Sequence, residues 1–120
     1  MNKLAYKRIY EPYDENDGYR ILIDRLWPRG IKKEDAKIDY WDKDITPTTN
    51  LRKWFNHDPE KFNEFKEKYL IELENNDKKD EYISIIKENL KNKNVTLLYG
   101  AKDEKYNHAI ILYEWTKNKL

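Results

Sequence analysis

Two uninterrupted apolar runs constrain this chain more than any other feature of its sequence. One is Ile21-Leu22-Ile23, inside the segment Arg20–Leu26, and the other is Val95–Tyr99 (VTLLY). A strand with one wet face alternates apolar and polar residues, whereas a continuous run suits a strand covered on both faces, as in parallel sheets. Two such runs separated by helical segments favour parallel pairing over a hairpin. The expectation is that Ile21–Asp24 and Thr96–Tyr99 pair in parallel within one sheet.

The rest of the chain supports an α/β reading. Lys3–Tyr10 alternates like a strand, and Glu11–Gly18 is a polar turn segment. Arg20–Leu26 follows as a buried strand that Pro28 and Gly30 end, and Ile38–Ile45 reads as extended or turn-rich. Thr48 or Thr49 can cap a short helix carrying Leu51, Trp54 and Phe55. Asp58-Pro59 combines a cap acceptor with proline at the first helical position, and Phe62, Phe65, Tyr69 and Leu73 continue at helical spacing. Tyr82, Ile85, Ile86 and Leu90 mark another helix. Ala109, Leu112, Tyr113 and Thr116 line a last one, capped by Asn107. With no repeat or long linker, residues 1–120 read as a single α/β domain, with a small, mainly parallel sheet of three to four strands flanked by helices.

Composition narrows the function. Charged residues make up 39% of the chain, yet the formal net charge is only +1. That balance disfavours generic polyanion binding, although a local basic patch remains compatible with it. The absence of cysteine excludes disulfides, a thiolate nucleophile, zinc–cysteine sites and iron–sulfur clusters. With two histidines and no HExxH or EF-hand spacing, no metal site and no cofactor are expected. No signal-like start and no run near the ~18 residues of a membrane span occurs, so a soluble cytoplasmic protein without a membrane partner is expected. All five arginines, Arg8, Arg20, Arg25, Arg29 and Arg52, lie in the first half. Some of these positions need a planar, bidentate fork, or the clustering is chance.

Chemistry concentrates where the two apolar runs stop, since ligands of open α/β sheets bind beyond the carboxyl ends of strands. In DRLWPRG, strand alternation and the Pro-Gly turn allow Arg25 and Arg29 to converge on one phosphate or carboxylate. The alternative is an internal salt bridge of Asp24 with an arginine. Trp27 either stacks on a base or ring or packs in the core or as a lid. In YGAKDEKYNHA, free amides at a helix start attract anions, with Gly100 and Ala101 permitting close approach and Lys102 adding charge. The alternative is architecture, with Asp103 making a turn, Asn107 capping and His108 in an exposed first turn. His57 beside Asp58 offers an imidazole that titrates near neutrality, while Asp58 serves as a cap. The candidate proton carriers are therefore Asp24, His57 and His108. The candidate ligand-binding residues are Arg25, Arg29, Lys102, Asp103 and Asn107.

The ordered set DGYRILIDRLWPRG, ITPTTNLRKWFNHDPEKF and VTLLYGAKDEKYNHA resembles the YeaO-like family, a bacterial and archaeal family of unknown function. The match runs from about Arg8 to Tyr113. The resemblance implies a compact cytoplasmic α/β domain. It also implies that Asp24, Arg25, Trp27, Pro28, Arg29, Gly30, Trp41, His57, Lys102, Asp103, Asn107 and His108 match motif positions. Where that family often has alanine, this chain has Gly100, which is expected to loosen the loop. Thr48 replaces a usual serine and keeps the capping hydroxyl.

Two functions compete, beside a third reading, a purely structural partner domain, which gives the strand-end clusters no special role. The first is a small enzyme binding a phosphorylated or carboxylated ligand at the strand ends, with acid–base chemistry. The second is a non-catalytic module for nucleic acid or a protein, in which Trp27, Trp54 and Tyr99 supply stacking surfaces.

Overall fold

The computed structural model describes residues 1–120. Four parallel strands, β1 (Leu4–Arg8), β2 (Tyr19–Leu22), β3 (Tyr40–Trp41) and β4 (Val95–Tyr99), form one sheet in the order β1-β4-β2-β3. β4 pairs with both β1 and β2, with Tyr6 and Ile21 on either side of Leu97. The two apolar runs are thus the central strands and lie parallel, as their patterning requires.

Alternation along these strands explains why both faces are apolar. Ile21, Ile23, Val95, Leu97 and Tyr99 point into the main core. There they meet α2 (Thr49–Phe55), α3 (Phe62–Glu74), α4 (Lys79–Leu90) and α5 (His108–Lys119). Leu22 and Leu98 point the other way, into a smaller cluster with Ile9 and Ala36 that Trp27, Ile31, Ile38 and Trp41 cover. Ala36 belongs to α1 (Lys33–Ala36), a one-turn helix that the sequence reading does not anticipate. Each fully buried large side chain contributes about 1.5–3 kcal/mol, so the helical face dominates stability.

The helix signals act as their chemistry dictates. Thr48 Oγ1 accepts from the Leu51 amide, and Asp58 accepts from the Glu60 amide ahead of a 3₁₀ turn that leads into α3. Gly18, at φ 69°, brings β2 against the β4 entry, where an added Cβ would stand 2.0 Å from the Asn94 carbonyl oxygen.

β2 is shorter than its apolar run suggests. It ends at Leu22 and not Leu26 because side chains take over the next carbonyls. Ile23 still donates to Leu98 O, but its own carbonyl meets His108 Nε2, and that of Asp24 accepts from Trp41 Nε1. Leu26 consequently lies outside the strand, 64% exposed.

Candidate functional site

The carboxyl ends of β1, β2 and β4 open into a cleft of about 1390 Å³. Its walls come from the loop after β2, the N-terminal half of the molecule around Thr46–Pro47, α2 and its exit, and the loop between β4 and α5. All of the residues proposed from sequence line it: Asp24, Arg25, Arg29, His57, Lys102, Asp103, Asn107 and His108. Their roles differ.

Asp24, Gly100 and His108 knit the floor. Asp24 Oδ2 accepts from the Gly100 amide at 2.8 Å, and Oδ1 lies 3.5 Å from His108 Nε2. That nitrogen is 2.6 Å from the Ile23 carbonyl oxygen, and since a carbonyl only accepts, Nε2 carries the hydrogen. Burial pushes the Asp24 carboxyl up and the His108 imidazole down, against their mutual attraction. Burial thus works against charge on both partners, while the Nε2 hydrogen is engaged by the Ile23 carbonyl. Asp24 forms no ion pair with Arg25 or Arg29; its partner is His108. His108 is correspondingly half-buried and not exposed. Gly100 does not loosen its loop. It lets the amide close on Asp24, where a Cβ would meet Oδ2 at 2.8 Å.

Two arginines use their forks on backbone. Arg25 donates through Nε to Pro47 O at 3.1 Å and through a terminal nitrogen to Thr46 O at 3.3 Å. Arg8 likewise holds Ala101 O and Gly100 O at 2.8 and 3.3 Å. Each clamps a cleft wall, leaving its charge in place while its directional donors are engaged. Arg29, Arg52, Lys53 and Lys102 are exposed at the cleft and take part in no ion pair or side-chain hydrogen bond. Arg52 is close enough to lower the proton affinity of both Asp24 and His108.

The remaining proposed residues divide between wall and frame. His57 and the preceding Asn56 adopt left-handed backbone, at φ 55° and 48°. Asn56 is the left-handed C-cap that ends α2, a conformation asparagine tolerates, whereas His57 adopts it at a cost of about 1 kcal/mol or more. His57 stands exposed at the cleft and forms no ion pair with Asp58, whose carboxylate is spent as a cap. Asp103 Oδ1 accepts from the Lys105 and Tyr106 amides, which hold its carboxyl below the usual range. Asn107 caps α5 through Oδ1 and binds Asp103 O through Nδ2, so both of its polar atoms build the loop. Trp27 packs edge-on against Trp41 over the smaller core cluster, with its indole donating to Ile31 O.

Arg8, Arg52 and Lys53 also line the cleft and were not singled out from the sequence. Of the stacking candidates, Tyr99 is core and only 3% exposed. Trp54 lies outside the cleft beneath the Lys61 and Lys68 ammonium groups. No group of three or more histidine or acidic side chains is placed to hold a metal ion. No helix is long and apolar enough to cross a membrane.

Residues 3–120 match the family DUF488-N3i, described as the inactive DUF488-N3 subclade. The chain belongs to this family. It is 46% identical over 112 residues to the uncharacterized protein YeaO of Escherichia coli, covering 93% of this chain and 95% of that one. The uncharacterized protein Rv3073c of Mycobacterium tuberculosis is 46% identical over 71 residues, 59% of this chain and 60% of its own length. No solved structure matches the chain. The YeaO resemblance drawn from the three motifs thus holds over nearly the whole DUF488-N3i domain.

Proposed function

We propose that the strand-end cleft binds a phosphorylated or carboxylated small molecule. The observation that carries this reading is a charge imbalance confined to one place. In a chain of net charge +1, the cleft gathers Arg8, Arg25, Arg29, Arg52, Lys53 and Lys102 against only two carboxylates, Asp24 and Asp103. One of those is half-buried with its proton affinity raised, so it offsets little of the field. A concave, low-dielectric wall focuses such a field on an anion. Four of the six cations lack protein partners, and an anion would supply them.

A second reading adds acid–base chemistry to binding, with Asp24, His57 and His108 as proton carriers. The 3.5 Å approach of Asp24 to His108 at the floor of the cleft favours it. Against it stand the Ile23 and Gly100 bonds that immobilise that pair, and the family description as inactive. Binding without turnover is therefore the leading form of the proposal, with an enzyme as the alternative.

Thermal-shift titration with phosphate, sulfate, pyrophosphate and small carboxylates tests the binding half. Occupancy at ~100 times the dissociation constant adds about 2.7 kcal/mol of stability. Arg52→Ala and Lys102→Ala should abolish the shift without lowering the melting point of the free protein. No shift with any anion refutes the proposal. Turnover of a phosphorylated metabolite that vanishes in a folded Asp24→Asn or His57→Ala protein would promote the enzyme reading.

A further inference from the structure

Two kinds of surface meet in the cleft, and an inorganic anion needs only one of them. The first is the unpaired cation set of Arg29, Arg52, Lys53 and Lys102. The second is aromatic. His57, Phe55, Phe62 and Tyr106 form a continuous run of rings, with successive centroids 6.4, 6.1 and 5.3 Å apart. Phe55 is buried, and the two ends of the run, His57 and Tyr106, stand exposed at the cleft. Tyr10 lines the same cleft from the β1 side, 45% exposed, with its hydroxyl bonded to Arg29 O.

Both end rings of the run have set positions of departure from the chain, and the Tyr106 ring is also packed. The left-handed backbone fixes where His57 leaves the chain, and the Tyr106 amide is bonded to Asp103 while its ring packs edge-on against Phe62. Aromatic side chains at the rim of a cationic cleft have only two torsions each and lose little conformational entropy when a flat, apolar group covers them. The cleft also exceeds the ~300–1000 Å³ of ordinary small-ligand pockets, so a phosphate alone would leave most of it empty. The groups that would otherwise grade sugar hydroxyls are largely engaged. Asp24, Asp103 and Asn107 already spend oxygens on the Gly100, Lys105, Tyr106 and Ile110 amides.

Resting on the anion-binding reading above, we infer that the ligand is a free nucleotide. Its phosphate lies against the cations that include Arg52 and Lys102, and its base covers the His57–Tyr106 rim. Base–aromatic stacking is sequence-tolerant and adds to the electrostatic attraction independently of it.

Isothermal titration of the full chain at low salt tests this with pyrophosphate, ribose 5-phosphate, the four nucleoside monophosphates and a short single-stranded oligonucleotide. At least one nucleoside monophosphate should bind tenfold or more tighter than ribose 5-phosphate. Tyr106→Leu or His57→Ala should remove most of that advantage with less than a twofold change for ribose 5-phosphate, and Tyr106→Trp should keep it. Lys102→Ala should weaken both ligands alike. If ribose 5-phosphate binds as well as every nucleotide, or if neither ring substitution narrows the gap, the nucleotide inference falls while the anion reading stands. If none of the anions binds, both fall. An oligonucleotide binding a hundredfold tighter than any mononucleotide overturns the free-nucleotide proposal in favour of a strand.

Discussion

The two ends of β2 use the same residue type in opposite ways. At its start, Arg20 is 2% exposed and fully engaged. It pairs with Asp17 and donates to Ala36 O and Lys37 O at 2.9 and 3.1 Å. Lys7 reaches the same Asp17 carboxylate at 2.8 Å, so one anion answers two cations and no buried side-chain polar atom is left without a partner. Beyond its end, Arg29, Arg52, Lys53 and Lys102 face water with no anion. A cation that the fold has satisfied holds the fold, whereas one left unsatisfied beside a cleft is available to something else.

The sharpest way to break this contrast is to delete one arginine from each end. Arg20→Met strands Asp17 with a single partner and removes the donors to the α1 carbonyls. Breaking a buried pair this way costs about 3–5 kcal/mol. Arg52→Ala should change stability by no more than about 0.5 kcal/mol, as an exposed substitution does, while weakening anion affinity tenfold or more. Urea denaturation and anion titration of both variants separate the two effects. Equal losses of stability would erase the distinction.

A second comparison concerns two buried aspartates with and without cations. Burial pushes the Asp17 carboxyl up, but bonds from Lys7, the Asp14 backbone and Arg20 outweigh it and hold it below 3.8. Asp42 is buried, accepts from the Ile45 amide and has no ion-pair partner, so burial raises it to about 6. The signs follow from linkage. The Asp17 contribution is present above its unfolded value of 3.8 and is lost as pH falls through its lower folded value. The Asp42 contribution is present below 3.8 and is lost as pH rises towards about 6. Asp42→Asn keeps an acceptor for Ile45 and removes the buried charge. After solvent screening, it should stabilise the protein at pH 8 by about 1–2 kcal/mol and have little effect at pH 4. Melting curves from pH 4 to 8 check this, and an unchanged profile would show that water solvates Asp42.

How much of this contrast the sequence carries depends on how local each signal is. The central strands were legible because Ile21-Leu22-Ile23 and Val95–Tyr99 lack the alternation of a half-wet strand. The caps at Thr48, Asp58 and Asn107 were legible because each acts within three residues. The Asp24–His108 contact joins residues 84 positions apart and depends on α5 starting beside the end of β2, which no local pattern encodes. Arg8 reaches the cleft only because β1 lies next to β4 in the sheet order. Arg52 had a usable signal, being an arginine one step round the helix from the buried Leu51 and Phe55 face, yet nothing local aims that side at the cleft. Tyr99 was misread as a stacking surface although strand alternation places it with Leu97 on the core face.

The smallest effect tests where framework ends and binding surface begins. Asn107 matches a motif position and lines the cleft, but Oδ1 serves the Ile110 amide and Nδ2 serves Asp103 O. If it is framework, Asn107→Ala should cost about 1 kcal/mol through the lost cap, and Asn107→Ser, which caps comparably, should recover most of that. Neither change should alter anion affinity by more than about twofold once the protein is folded, because the unpaired cations are untouched. Chemical denaturation and anion titration of the two variants give both numbers. Asn107→Ser that retains stability yet loses tenfold in anion affinity would place the amide in direct contact with the ligand. Cap and binding site would then share one side chain, and the division drawn between the two ends of β2 would not hold within the loop before α5.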